Sequence, residues 1–291
     1  MLKADKIHKE FIKEILTEGT WDENPRPRYE SDGKPAHSIF ITQAFEKYDI
    51  SKGELPITTL RPIGYKNGIK EIQWIYQDQT SDLSVLKEKY NIHWWDAWKV
   101  KREVEIDNGE TIIIEDTIGQ RYGATVGRYN LTDNFLNGLM KDPFGRRHII
   151  SLWQMKDLME TDGLSPCAFQ IIGSVRKVNG DYYFDLTLIQ RSSDYLVAGH
   201  INMIQYVALQ KMVAHHCGYK VGKFARFTQN LHIYDRHIEQ AEILLGREPS
   251  LVQPKLILNA EGKSFYDITV DDFELVDYNP VKPQLKFDLG I

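Results

Sequence analysis

The sequence is poor in the features that mark secreted, membrane-bound and nucleic-acid-binding proteins. Its 291 residues include only 2 cysteines, too few for a disulfide framework or a paired-cysteine zinc site. It has no apolar run long enough to span a membrane, and the segment that begins at Met1 lacks a signal peptide's apolar stretch. The formal net charge of −5 argues against broad contact with nucleic-acid phosphates. We therefore expect a cytoplasmic protein with no membrane partner and no metal.

The remaining composition is that of a globular protein, with 42% hydrophobic and 26% charged residues. Because no repeat, low-complexity tract or linker interrupts the chain, residues 1–291 are interpreted as one α+β domain of mixed helices and sheet. Apolar spacing predicts helices at residues 6–16, 65–76, 131–139 and 202–216. Extended patterns predict strands at residues 147–153, 169–175, 182–190, 255–258, 265–268 and 285–287. Residues 102–116 are typical of a surface hairpin that turns at residues 107–109.

One cysteine stands next to a proline and opens a predicted hairpin that an arginine closes. Pro166 stiffens the backbone before Cys167, and Arg191 follows the returning strand. A guanidinium group beside the thiol would lower its pKa and favour the reactive thiolate. The alternative is that Cys167 is a small buried hydrophobic residue and Arg191 a surface cation. On these two residues alone, both interpretations stay open.

Further motifs follow in a fixed order along the whole chain. They are IKEIQW at 69–74, WDAW at 95–98, YG at 122–123, DPFGRR at 142–147, SPC at 165–167, QRSSD at 190–194, Asn202, and HIY at 232–234. In this order and spacing the chain resembles the thymidylate synthases. The resemblance implies a homodimer with a mixed sheet, flanking helices and sheet packing across the dimer. It also implies methylation of deoxyuridylate (dUMP) at C5 with 5,10-methylenetetrahydrofolate as co-substrate, which acts as both carbon donor and reductant.

The resemblance also implies roles for individual residues. Cys167 would attack C6 of the uracil ring and so activate the neighbouring C5. Glu71 would organise proton transfers, and its apolar helix face would raise its pKa toward that work. Tyr122 would assist proton removal at C5, Asn202 would read the uracil edge, and Asp194 would bind the pterin ring.

The remaining implied contacts fall into two groups. Those to the nucleotide's phosphate and sugar would come from Arg191, Ser192, His232, Tyr234, either Arg26 or Arg28, and, across the dimer, Arg146 and Arg147. Those to the folate would come from Trp95, Trp98, Leu164, Asp194 and Ile291, the last acting as a lid.

Three segments depart from the common pattern of the family. Ala168 stands where a histidine usually follows the nucleophile, and residues 197–201 and 228–230 are also altered. These changes affect the expected folate contacts and the orientation of the substrate. A dUMP or dCMP hydroxymethylase, in which water replaces hydride, is the closest alternative, and it depends on water access near Trp95 and the C-terminus. Asn202 favours uracil over cytosine in either case. A non-catalytic nucleotide-binding or RNA-binding regulator is the alternative from another class, and the net acidity disfavours it.

Overall fold

A mixed β-sheet with helices around it forms the centre of the protein. The computed structural model describes residues 1–105 and 111–291. Its helices are α1 (Lys3–Glu18), α2 (Tyr65–Tyr76), α3 (Leu83–Tyr90), α4 (Gly123–Arg128), α5 (Leu131–Lys141), α6 (Met155–Glu160), α7 (His200–His216) and α8 (Ile238–Gly246). Its strands are β1 (Thr20–Trp21), β2 (Ser38–Asp49), β3 (Val100–Glu105), β4 (Thr111–Thr117), β5 (Ile149–Ser151), β6 (Ala168–Val178), β7 (Asp181–Gln190), β8 (Ser193–Asp194), β9 (Lys220–Tyr234), β10 (Lys255–Leu258) and β11 (Phe273–Val276). The predicted α+β class is confirmed.

The main sheet runs in the order β1-β2-β9-β7-β6-β5, and the short strand β8 also pairs with β9. Strand β9 is parallel to β7 and to β8, whereas the other neighbouring strands are antiparallel. Two separate hairpin pairs, β3 with β4 and β10 with β11, lie outside this sheet. The pairing of β3 with β4 confirms the predicted hairpin, whose turn at 107–109 lies outside the described residues.

Helix α7 is the central helix of the core and packs on β7 and β9. The predicted apolar stripe is buried, since Ile204, Val207, Ala208 and Met212 are all 0% exposed. The helix ends at His216, and the chain turns away two residues later at Gly218, whose φ of +70° is the left-handed conformation that glycine adopts without strain. Within the described ranges, no helix is long and apolar enough to cross a membrane.

The boundaries of several elements differ from the sequence-based expectation. Helix α2 has the predicted bounds, whereas β5 is shorter than the strand predicted at 147–153. The strands predicted at 265–268 and 285–287 are wrong, because these residues form turns and irregular chain. The two longest strands, β2 and β9, were not predicted at all.

Candidate active site

The ends of β6, β7 and β8 open into a cavity of about 570 Å³. Most of the residues expected at the site line this cavity. They are Arg26, Glu71, Trp95, Trp98, Tyr122, Leu164, Cys167, Arg191, Ser192, Asp194, Asn202, His232, Tyr234 and Ile291. Arg28, Arg146 and Arg147 do not line it, and the last two are exposed on the surface.

The pairing of β6 with β7 brings Cys167 and Arg191 together. Cys167 directly precedes β6 and Arg191 directly follows β7, and the Arg191 backbone N–H donates to the Cys167 carbonyl at 3.0 Å. The guanidinium donates to the carbonyls of Ser165 and Pro166 at 2.7 and 3.1 Å, and its Nη2 lies 3.4 Å from Cys167 Sγ. The cation is therefore fixed against the thiol by the backbone that presents the thiol.

The pKa of Cys167 does not follow the simple expectation from this contact. Burial raises the pKa of the thiol, and the positive charges of Arg191 and Arg26 offset that rise only in part. Arg191 thus lowers the pKa of Cys167, as expected, but the net pKa is raised because burial outweighs this contribution. Burial dominates because taking a thiolate out of water costs more than the two cations return.

Tyr122 lies directly beside the nucleophile. Its hydroxyl oxygen accepts the backbone N–H of Cys167 at 3.1 Å, and burial raises the pKa of the phenol well above its ordinary value. The residue has a φ of +44°, which is rare for a bulky side chain. The turn before α4 thus holds Tyr122 in a strained conformation that aims its hydroxyl at Cys167.

Glu71 is a buried acid on α2, 8% exposed, that lines the cavity. Its two carboxylate oxygens accept hydrogen bonds from Trp95 Nε1 and Gln205 Nε2, each at 2.7 Å. Burial raises the pKa of Glu71 to about 7, the direction expected for an acid on an apolar helix face. The group can therefore take up and release a proton near neutral pH.

Asn202 lies on α7 between two glutamines. Its Oδ1 accepts from Gln190 Nε2 at 3.1 Å, and its Nδ2 donates to Gln205 Oε1 at 2.9 Å. Gln205, which joins Asn202 to Glu71, is not identified by the sequence motifs. Its spacing of three residues from Asn202 on one helix face was the available signal.

Two arginines and two polar aromatic residues, His232 and Tyr234, line part of the cavity. Arg26 lines it together with Arg191, whereas the Arg28 side chain turns back to the Pro25 carbonyl at 3.4 Å. The pairing of β8 with β9 places Asp194 opposite His232, whose Nδ1 lies 2.9 Å from Asn230 Oδ1. Burial lowers the pKa of His232, which favours the neutral ring.

The C-terminal residues close another side of the cavity. The backbones of Arg28 and Ile291 exchange two hydrogen bonds of 2.8 Å, which places Ile291 in the cavity wall. Gly290 is required for this path, since a Cβ there would lie 2.6 Å from the ring of Tyr234. An ion pair between Arg236 and Asp288 at 2.6 Å also holds the tail down.

Aromatic rings form part of the cavity wall. The ring of Trp95 lies 5.5 Å from that of Trp98 and 5.3 Å from that of Tyr122, both in edge-to-face contact. Leu164 and Ile291 extend this apolar surface. A flat ring system bound there would be shielded from water.

The altered segments also reach the cavity. Val197, Ala198 and Ile201 line it, and Ala168 lies beside the nucleophile in the same wall. Residues Tyr195–Gly199 form a π-helical turn whose start is capped by Asp194, which accepts the Val197 N–H at 3.2 Å. The altered sequence therefore still produces a defined wall.

Metal ligands do not cluster in the part of the chain that the structure describes: no three His, Cys, Asp or Glu side chains come together there as a metal site would require. A cysteine held by an arginine, beside a tyrosine and a buried acid in an aromatic-walled cavity, has the parts of an enzyme that uses a thiolate nucleophile on an anionic ring compound.

Comparisons with known proteins specify this class further. Residues 6–291 match the family model described as thymidylate synthase. The chain is 56% identical over 292 residues to the thymidylate synthase of Streptococcus sanguinis (strain SK36), with 100% of both chains covered. It is equally similar to that of Streptococcus pneumoniae (strain 70585), at 56% over 292 residues and 100% of both chains. The chain therefore belongs to the thymidylate synthase family.

A solved structure supports the same family assignment. The thermostable thymidylate synthase A from Bacillus subtilis matches with a TM-score of 0.85 and 32% identity, covering 99% of each chain. The altered segments of this chain are therefore accommodated within the family's fold.

Proposed function

We propose that the chain is a thymidylate synthase, which converts dUMP to dTMP with 5,10-methylenetetrahydrofolate and releases dihydrofolate. The observation that carries this proposal is the contact of Cys167 with Arg191 and Tyr122 in a cavity that also contains Glu71 and Asn202. Family membership supports the same reaction.

Cys167 is the proposed nucleophile. Its thiolate adds to C6 of uracil, and the electron pair of the C5–C6 double bond moves into an enolate that makes C5 nucleophilic. The bound folate supplies both the one-carbon unit and the hydride. Tyr122, whose hydroxyl accepts the Cys167 N–H, assists loss of the C5 proton. Glu71 lines the same cavity, and it takes up and releases protons during the reaction. The thiolate leaves C6 when the methyl group is complete.

The nucleotide's other contacts are proposed from the residues that line the cavity. Arg26, Arg191 and Ser192 line the cavity and are proposed to bind phosphate oxygens. His232 and Tyr234, whose rings lie 5.1 Å apart, are proposed to hold the 3′-hydroxyl. Because Arg28 faces away from the cavity, Arg26 is our choice for the arginine of the early loop.

The folate is proposed to lie against the aromatic wall. Trp95, Trp98, Leu164 and Ile291 provide an apolar surface, and the carboxylate of Asp194 is available to accept hydrogen bonds from the pterin ring. The fit of these residues to a flat, partly polar ring supports methylenetetrahydrofolate as co-substrate.

A homodimer is proposed to complete the phosphate site. Arg146 and Arg147 lie exposed outside the cavity of their own chain, where they are free to reach a partner. The sheet face turned away from α7 carries Phe45, Phe227 and Ile189 side by side on three neighbouring strands, and Phe45 is 57% exposed. An apolar row of this kind suits the self-complementary contact of a two-fold dimer.

Mixing two inactive variants tests the shared site. We expect the Cys167→Ala variant and the Arg146→Ala/Arg147→Ala variant each to be inactive alone. After subunit exchange, mixed dimers contain one intact site, so random pairing should restore about a quarter of wild-type sites. Native mass spectrometry before and after mixing, which separates the three kinds of dimer by mass, verifies that mixed dimers form. Failure to regain activity in proven mixed dimers would contradict a shared site.

A cytoplasmic location is also proposed. Both cysteines, Cys167 and Cys217, are unpaired thiols, which fits a reducing compartment. Fractionation of cells with an antibody to the protein would test this.

The product of the reaction tests the proposed function. We expect the purified protein, mixed with dUMP and methylenetetrahydrofolate, to produce the near-ultraviolet absorbance of dihydrofolate and a nucleotide heavier by one methylene unit. A hydroxymethylated nucleotide without dihydrofolate would instead identify a hydroxymethylase. Binding without any product would favour a regulator.

A further inference from the structure

A buried ion pair lies beneath the cavity, and the proposed function does not use it. Arg226 on β9 and Glu46 on β2 are paired directly across the two strands, and their side chains are 1% and 2% exposed. Arg226 Nε donates to Glu46 Oε1 at 2.9 Å, and the Tyr48 hydroxyl donates to Glu46 Oε2 at 2.7 Å. Such a pair seldom stabilises a fold more than apolar residues of similar volume would, so its position calls for a reason other than stability.

Arg226 also contacts groups that lead toward the cavity. Its Nη1 donates to Gln190 Oε1 at 3.3 Å and to the Gly199 carbonyl at 3.0 Å. Gln190 is fully buried, and its Nε2 donates to Asn202 Oδ1. Arg226 is therefore joined through one side chain to the residue proposed to read the base.

The chain of hydrogen bonds continues beyond Asn202 with the same polarity. Asn202 donates to Gln205, and Gln205 donates to Glu71. Each amide in this row could turn over and exchange its donor with its acceptor, but the first group cannot, because a guanidinium only donates. Arg226 thus sets Gln190, and Gln190 sets Asn202, in one of two otherwise similar orientations.

The two orientations fit different bases. In the observed one, Asn202 offers an acceptor to N3–H and a donor to O4, the pattern of uracil. The reversed amide would offer a donor to N3 and an acceptor to the 4-amino group, the pattern of cytosine. An asparagine alone can adopt either orientation, so selection of uracil requires a neighbour that fixes its amide.

We propose that Arg226 is a positioning residue that, through Gln190, locks the Asn202 amide in the orientation that accepts uracil and rejects cytosine. This inference rests on the proposed function, in which Asn202 reads the base. The same guanidinium holds the Gly199 carbonyl in the altered wall, which keeps the start of α7 in register with Gln190. A Cβ at position 199 would lie 2.8 Å from the Tyr195 ring, so this turn is closely packed.

The test compares binding of dUMP and dCMP to the full-length protein by calorimetry. In the Glu46→Met/Arg226→Met variant, which removes both charges together, we expect the preference for dUMP over dCMP to fall about tenfold, the effect of one misdirected hydrogen bond. Gln190→Met should give the same fall while it leaves the ion pair intact. Circular dichroism and thermal melting verify folding.

Tyr48→Phe is the matched control. It removes a hydrogen bond from the same buried cluster on the side away from Gln190, so we expect a lower melting temperature and an unchanged preference. An equal fall in preference in Tyr48→Phe would overturn the proposal, because selectivity would then follow general stability. An unchanged preference in the folded double variant would overturn it too. If the double variant does not fold, an unchanged preference for dUMP in Gln190→Met would overturn the proposal instead.

Measurements on the wild-type protein distinguish a failure of this proposal from a failure of the proposed function. Wild-type protein that does not convert dUMP, or does not prefer it to dCMP, would refute the proposed function. Wild-type protein that does both, with unaltered preference in the variants, would refute only the role of Arg226.

Discussion

Replacing Cys167 with alanine is expected to lower turnover of dUMP by at least about 10⁴-fold, the usual scale for loss of a covalent nucleophile. The reason is that uracil C5 is a poor nucleophile until a thiolate has added to C6. Steady-state formation of dihydrofolate measures the loss. Binding of dUMP should remain, because Arg26, Arg191 and Asn202 are untouched.

The second cysteine provides a matched control. Cys217 follows α7 away from the cavity, and burial raises the pKa of its thiol to about 11, so it is a poor nucleophile. We expect Cys217→Ala to keep wild-type turnover. In the wild-type protein, 5-fluoro-dUMP with methylenetetrahydrofolate should leave a covalent adduct on Cys167 that survives denaturation. Appreciable turnover by Cys167→Ala, or an adduct located on Cys217, would refute the assignment.

The elements that were predicted well have uninterrupted patterns, and those that were missed do not. Helix α2 and strand β7 have clean apolar spacing, and the predicted bounds agree closely. Strands β2 and β9 each carry a charge, Glu46 and Arg226, on the buried face. These charges break the alternation that identifies a strand. They neutralise each other only after folding brings together residues 180 positions apart, which local patterns do not register.

The two false strands show the opposite error. Phe265 is 0% exposed, and Phe287 packs edge-to-face on His237 at 5.1 Å, so the apolar residues of both segments are used for packing. Neither segment pairs with a neighbouring strand. Apolar alternation reports which side chains are buried, whereas pairing depends on which backbone edge is available.

The candidate site was predictable as a set of residues but not as an electrostatic environment. Most of the residues to which the family resemblance gives a role line the cavity. The ordered motifs do not decide between Arg26 and Arg28, because that choice depends on how the early loop pairs with the C-terminal residues. Nor do they give the direction of the Cys167 pKa, since burial and nearby cations act in opposite senses and only the folded structure sets their balance.

Replacing Glu71 with glutamine is expected to stabilise the protein at alkaline pH while it damages catalysis. The pKa of Glu71 is about 7 in the folded protein, against 4.5 for the unperturbed group, so the folded state retains a proton that the unfolded state releases. Stability therefore falls as the pH rises from about 4.5 through 7, by roughly 3 kcal/mol in total. Glutamine does not ionise and avoids this cost. Trp95 and Gln205 both donate hydrogen bonds to position 71. The NH₂ group of the new glutamine must face one of these donors, which reduces the gain in stability.

Thermal melts of wild type and Glu71→Gln from pH 5 to pH 8 measure the difference. The two melting temperatures should diverge as the pH rises, with Glu71→Gln the more stable at pH 8, while turnover falls about 10²- to 10⁴-fold because proton transfer is lost. Asp5→Asn is the control: Asp5 is also fully buried, but it binds Thr58 and Thr59 away from the cavity, so its loss should alter stability and not turnover. Parallel pH–stability curves for wild type and Glu71→Gln would show that Glu71 has an ordinary pKa, and unchanged turnover would remove it from the proton-transfer step.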